Sequence, residues 1–343
     1  RKVVLRLYRS LVRSKLDYGC MVYGSARKSY LSKLETVQNQ ALRLCLGAFR
    51  TSPITSLHVE ANELPLHFRR EKLALQYAIK LRANPSNPAY EVTFHPRNGD
   101  LYDKKPTAIR SFGFRIQGSL GQICPDLTAV TPCTVPSNPP WKLCQPMVDL
   151  SLTKDKKDCT DALLYQNKFL ELKDQYKNHH AIYTDGSKDG NKVAAAAVSG
   201  DDQIQVRLPD QASIFTAELK ALLLALSLIA QSPLFYFIVF SDSLSSLMAL
   251  KGTVNDNPYV LKILEVCSSL AQKGKKITFA WIPSHVGIRG NDAADKAAKE
   301  ALQLPVTALK IPYTDFKHHI NKYVREFWQD EWHASISNKL YDI

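Results

Sequence analysis

Between residues 30 and 49, in YLSKLETVQNQALRLCLGAF, apolar side chains return every three or four positions. Leu31, Leu34, Val37, Ala41, Leu42 and Cys45 form one stripe, and Lys33, Gln38, Gln40 and Arg43 lie off it. That period predicts an amphipathic helix, closed near Gly47. A second helix is predicted from Pro65, where PLHFRREKLALQYAIKLRA sets Phe68, Leu73, Leu75, Ala78 and Leu81 on or near one face behind a proline suited to a helix start. Residues 1–83 thus read as a small helical region.

The period is lost from Asn84 to about Leu150, where ten of the eighteen prolines fall, including NPSNPAY and VPSNPPW. Proline blocks helix interiors and central strands, so residues 84–178 are predicted to form an extended connector, with Trp141 as an anchor. Apolar patterning resumes at His179 with a different rhythm. HAIYTDG reads as a strand, KVAAAAVSG and QIQVRLP as its hairpin neighbours, and FTAELKALLLALSLIAQ as a helix. FYFIVFSDS then reads as a buried strand, YVLKILEVCSSLAQK as a helix, KITFAWIPS as a strand and NDAADKAAKEAL as a helix. Three strands followed by alternating helix and strand predict a mixed α/β sheet with helices on its faces over residues 179–303, and residues 304–343 a helical tail.

Charge separates these regions. The chain of 343 residues carries a formal +13, yet residues 1–90 hold 16 Lys and Arg against 5 Asp and Glu, whereas residues 181–302 hold 12 of each. A basic first part attracts polyanions, and Arg43, Arg69, Arg70 and Lys72 are the expected grip. The neutral part keeps its acids for a local purpose. Seven scattered cysteines without a C-x-x-C pair suit reduced thiols better than a disulfide framework or a zinc site. No run of eighteen apolar residues and no signal-peptide pattern occurs, so an intracellular, soluble protein with no membrane partner is expected. The chain opens on Arg1 inside a running helical pattern, as a piece of a longer protein would.

Four acids stand out by position. Asp185 is expected to close the first strand, Glu218 lies in the first turns of the first long helix, Asp242 closes FYFIVF, and Asp295 lies in the NDAADKAAK helix. Singly, a turn, a favourable charge at a helix start, an N-cap and a surface charge would account for them. Together, at the carboxyl ends of strands, they can converge on a cleft, where their repulsion is relieved by divalent cations. Oxygen ligands favour Mg²⁺, with Mn²⁺ able to substitute, and two such ions suit phosphodiester hydrolysis.

In order and spelling, YTDGSK, TAELKALLLAL, VFSDSLSSL and WIPSHVGIRGNDAADKAAK resemble the type 1 ribonuclease H family over about 120 residues. The resemblance implies a ribonuclease H-like five-stranded mixed sheet with flanking helices. It also implies catalysis by Asp185, Glu218, Asp242 and Asp295 with two Mg²⁺ ions, and proton transfer or product release assisted by His285. The implied substrate is an RNA/DNA hybrid, touched by Gly186, Ser187, Ser245 and Asn291. Gly186 is read as leaving room for a phosphate backbone. Leu244 stands where many members carry a glutamine that touches the minor groove, so that contact is either lost or replaced, with Ser245 the candidate replacement.

The flanking LYRSLVRSKLDYGCMVYGSA, LETVQNQALRLCLGAFRTSP and ELPLHFRREKLALQYAIKL, the PPW connector and FKHHINKYVREFWQDEWHAS resemble the post-palm region of jockey- and I-element-like non-LTR retrotransposon reverse transcriptases. That implies an upstream polymerase domain in the same polyprotein. No Y-x-D-D motif occurs in this chain, so polymerase chemistry is not assigned to it. The alternative is a catalytically silent nucleic-acid-binding fragment of a decayed element. A proofreading exonuclease would open with D-x-E, and an integrase would place glutamate where the last helix offers Asp292 and Asp295.

Overall fold

A computed structural model describes residues 1–105, 107–124, 126–133, 143–154, 160–252 and 257–335. Helices of eight residues or more are α1 (Lys28–Leu46), α2 (Ile54–Ala61), α3 (Leu66–Arg82), α4 (Phe112–Ile123), α5 (Ala162–Gln175), α6 (Ile214–Gln231), α7 (Leu244–Lys251), α8 (Pro258–Gln272), α9 (Arg289–Ala301) and α10 (Phe316–His333). Strands are β1 (Met147–Asp149), β2 (His180–Asp189), β3 (Lys192–Ser199), β4 (Asp202–Leu208), β5 (Tyr236–Ser241) and β6 (Lys276–Trp281). The chain divides into two compact units, residues 1–127 with α10, and residues 128–315.

The first unit is helical, as its period predicts. Gly47 ends α1 at φ 66°, a left-handed cap glycine adopts freely, and Pro65 caps the start of α3. Tyr8, Leu42, Cys45 and Ala61 form a buried cluster. The arginines expected to grip a polyanion turn inward instead. Arg69 binds Asp17 through Nε and Nη2 at 2.6–3.2 Å, and Arg70, 12% exposed, faces Glu35 at 3.6 Å. Arg43 lies 3.5 Å from the Ser52 carbonyl, and burial together with Arg69, Arg325 and Arg13 pushes the pKa of Lys72 down. Buried Glu63 likewise accepts from Arg9 at 2.5 Å and Arg13 at 2.8 Å. An acid left unpaired in that interior would cost more than an exposed ion pair yields, so the few acids hold the arginines.

The stretch expected to be an extended connector is not one. It contains helices Ala89–Phe94 and Gly99–Lys104, then α4, β1 and α5. Among the described residues Pro88 is an N-cap and Pro146 lies just before β1, positions where proline costs little. The Trp141 anchor, the PPW motif and Cys159 lie outside the described residues; Cys20, Cys45, Cys124, Cys144 and Cys267 are free thiols. The helical tail is also shorter than expected. Residues 304–315 belong to the second unit as a strap, in which Ile311 bridges Val130 and Asp315 accepts from Ser213 N at 3.0 Å and Ser213 Oγ at 3.1 Å.

The sheet has six strands, not five, in the order β1-β6-β5-β2-β3-β4. The extra strand is β1, parallel to β6 at the edge, from the stretch read as a connector. β2 pairs antiparallel with β3 and parallel with β5. Strand alternation then assigns the faces. Tyr183, Asp185, Ala196 and Val198 share one face, where Ala196 and Val198 meet Ala294, Ala297 and Ala298 of α9. On the same face α5 lays Tyr165, Phe169 and Leu172 over Ile238, Phe240 and Ala280. Thr184 and Gly186 face α6 on the other side. Among the described residues α6 alone has the length and apolar composition of a membrane span, but it packs on β2 and β3 with Glu218 buried.

Candidate active site

The register brings the acids together. Thr184 is the last β2 residue paired with β5, opposite Ser241, so Asp185 and Asp242 follow side by side at the carboxyl end of that ladder. Asp185 does not close its strand. β2 runs on to Asp189 with Asp185 opposite Ala196, and the hairpin turns at Gly190, φ 55°. A mid-strand aspartate is tolerated because its parallel neighbour has ended, leaving its buried side chain beside Glu218 and Asp242.

Glu218 arrives from the opposite face, four residues into α6, whose start is capped by Ser213 Oγ accepting from Thr216 N at 3.1 Å. Carboxylate oxygens of Asp185, Glu218 and Asp242 all lie within 4.8 Å of one another. Burial first, then the charges of Asp242 and Asp295, lifts the Asp185 carboxyl from 3.8 to about 7. Burial, then Asp185 and Asp242, likewise holds Glu218 well above the ordinary range. The Gly186 N–H donates toward both carboxylates and offsets only part of this. Glu218 Oε2 is buried with no hydrogen-bond partner among the described residues. A self-repelling, oxygen-only cluster with an orphaned oxygen fits a hard divalent cation.

Asp295 lies outside that group of three but near enough to raise Asp185. It accepts a 2.7 Å bond from Lys299 one turn on, and its side chain is 24% exposed. His285 lies in the β6–α9 loop, exposed, with a left-handed φ of 57°. Ser187 follows Asp185 on the same face, half-buried, and Ser245 is exposed in the first turn of α7 beside exposed Leu244.

Two of the expected substrate contacts also engage the protein itself. Asn291 is 2% exposed, and its Nδ2 lies 3.4 Å from Asp242 Oδ2. Gly186 is needed by the fold itself, because a Cβ there would lie 2.8 Å from the Glu218 backbone nitrogen. Gly186→Ala is therefore expected to push α6 outward, with a loss of about 1–3 kcal/mol in chemical denaturation and weaker hydrolysis. Unchanged stability would show that α6 tolerates the shift.

Sequence reasoning missed Trp281, whose Nε1 donates to the Asp242 carbonyl at 3.0 Å, and Tyr183, stacked on Phe240 at 5.1 Å. A Cβ on Gly290 would enter the Tyr183 ring, which accounts for the glycine before Asn291. The i, i+4 spacing of Asp295 and Lys299 was the one legible signal for their pair.

The family model described as RNase H matches residues 177–303. Among solved structures, RNase H1 from the halophilic archaeon Halobacterium salinarum NRC-1 is similar at 23% identity, over 36% of this chain and 96% of that one, with a TM-score of 0.30. With the matched segment carrying strands β2 to β6 and its carboxylates gathered where the β2–β5 ladder ends, residues 177–303 are a ribonuclease H domain.

Proposed function

We propose that the chain hydrolyses the RNA strand of RNA/DNA hybrids, with Mg²⁺ as the working cation and Mn²⁺ able to substitute. The observation that carries this is the convergence of Asp185, Glu218 and Asp242 with one buried carboxylate oxygen left unpaired. Two divalent ions held by these three and Asp295 would supply an activated water and a stabilised leaving oxygen. The chain's own residues orient the reaction. Asn291 and Trp281 hold Asp242 from its side chain and its carbonyl. His285, exposed beyond β6, would move a proton to or from the phosphate oxygens. Ser187 and Ser245 offer hydroxyls to phosphate or ribose, and hybrid is read through the shallow minor groove by its 2′-hydroxyls.

The test is incubation with hybrid labelled on the RNA strand, with Mg²⁺ and with chelator, beside single-stranded RNA and duplex DNA. Cleavage of hybrid RNA alone, lost with chelator, is expected. Equal cutting of duplex DNA would overturn the substrate class.

The flanking segments support a reverse transcriptase of the non-LTR retrotransposon kind as the parent protein, acting inside the cell with a polymerase domain upstream. Reading the coding sequence ahead of Arg1 tests this, and a Y-x-D-D motif is expected there. With Arg69 and Arg70 engaged internally, nucleic-acid grip in the first unit falls to exposed Arg27, Lys28 and Lys33 around Tyr30, which is 62% exposed with Lys33 Nζ 5.5 Å from its ring. Reversing these three charges to Glu should flatten the salt dependence of hybrid binding, since each lost phosphate contact removes about 0.7–0.9 from the slope of log K. An unchanged slope would free this surface of that role.

A further inference from the structure

We propose that Gln166, on α5 and outside the matched ribonuclease H segment, is a positioning residue for the His285 loop. The inference rests on the role of His285 proposed above. Three consecutive loop residues meet at one point. His285 has a φ of 57°, uncommon for a residue with a side chain, and Gly287 has a φ of 79°. Between them Val286 is buried, and its carbonyl accepts from Gln166 Nε2 at 2.7 Å. A Cβ on Gly287 would lie 2.7 Å from the same nitrogen, so the backbone thins where the amide enters.

The rest of the loop shows why that bond decides the direction of the histidine. Ile282, Val286 and Ile288 point into the cluster with Tyr165 and Phe169, and His285 stays exposed between them. The apolar residues hold the loop down, but they do not set the peptide orientation beside His285. A left-handed residue with a side chain persists only where its neighbours over-determine it, and the Gln166 amide supplies the directional contact. The donor is itself rigidly placed. Asp161 caps α5 by accepting from Leu163 N at 2.7 Å, and Phe169 packs edge-on to Phe240 with ring centroids 5.3 Å apart. Phe240 belongs to β5, the strand that Asp242 follows, so one helix ties the histidine loop to the strand that presents a catalytic carboxylate.

The experiment is a double-mutant cycle in hybrid cleavage with Gln166→Leu and His285→Ala. Leu keeps the bulk and removes the donor. Gln166→Leu should lower kcat about tenfold with KM nearly unchanged, and should add almost nothing in the His285→Ala background, as for two residues in one network. Backbone amide resonances of residues 285–287 should broaden in Gln166→Leu while those of β5 stay in place. If His285→Ala lowers kcat but Gln166→Leu does not, or the two effects multiply, the positioning role is overturned. If His285→Ala leaves kcat unchanged, the histidine reading fails first and the positioning role with it. Should Gln166→Leu fold poorly, Gln166→Glu, which keeps length but offers no donor, repeats the cycle with the same two outcomes.

Discussion

Asp185→Asn should nearly abolish hybrid cleavage while making the cation-free protein more stable. The amide keeps the shape of the carboxylate and removes its charge. Loss of one charged ligand at a phosphoryl-transfer centre removes several kcal/mol of electrostatic stabilisation, or about 10²–10⁴ in rate. The same change relieves Glu218, which burial and then the charge of Asp185 hold well above its ordinary range, and removes a charge beside Asp242. Rate falls and stability rises, the exchange expected where a site is built against the fold's own interest. Hybrid cleavage and urea denaturation without divalent ions read the two arms. A variant that cuts like the parent would remove Asp185 from the reaction. A variant that loses both rate and stability would show a packing role instead.

The second large effect is a stability that depends on pH and cation together. In the folded protein the Asp185 carboxyl ionises near pH 7, against 3.8 ordinarily. Between those values the folded state keeps a proton that the unfolded state has released, so rising pH favours unfolding; above about 7 the penalty is constant. At roughly 1.4 kcal/mol per unit, a shift from 3.8 to about 7 is worth at most about 4 kcal/mol. Glu218 moves in the same direction. Without divalent ions, urea midpoints should therefore fall between pH 5 and pH 8. Millimolar Mg²⁺ should restore stability at pH 8 and do little at pH 5, where Asp185 and Glu218 hold protons. Asp185→Asn should flatten the fall. Equal Mg²⁺ stabilisation at both pH values would separate cation binding from this cluster.

Much of this was legible locally. The runs FYFIVF and KITFAW are too apolar for anything but buried strands, and the three- and four-residue spacing in α1 and α3 is a property of neighbours on one helix. The acids were legible because Asp242 breaks an apolar strand and the others punctuate helix starts and strand ends in a recognisable order. A strand's alternation can be read from its own residues, but the point where its partner stops cannot. That is why Asp185 read as a strand end and proved to be mid-strand, beside the point where β5 terminates.

Glycine shows the same limit. In the sequence Gly186 looked like room for a phosphate, and its neighbour is the backbone of α6, reached across 32 residues. The pairing of Arg69 with Asp17, 52 residues apart, converts a surface charge count into an internal bridge, and no local window holds both partners. Proline density misread residues 84–178, because proline forbids positions within elements but says nothing of the helices that fit between prolines. Period, sign of charge and strand-breaking acids are short-range properties, and the sequence alone determined them. Which oxygens converge, which cations are spent on internal acids and which loop an amide pins were decided only by tertiary structure, because each depends on a partner brought near by the sheet.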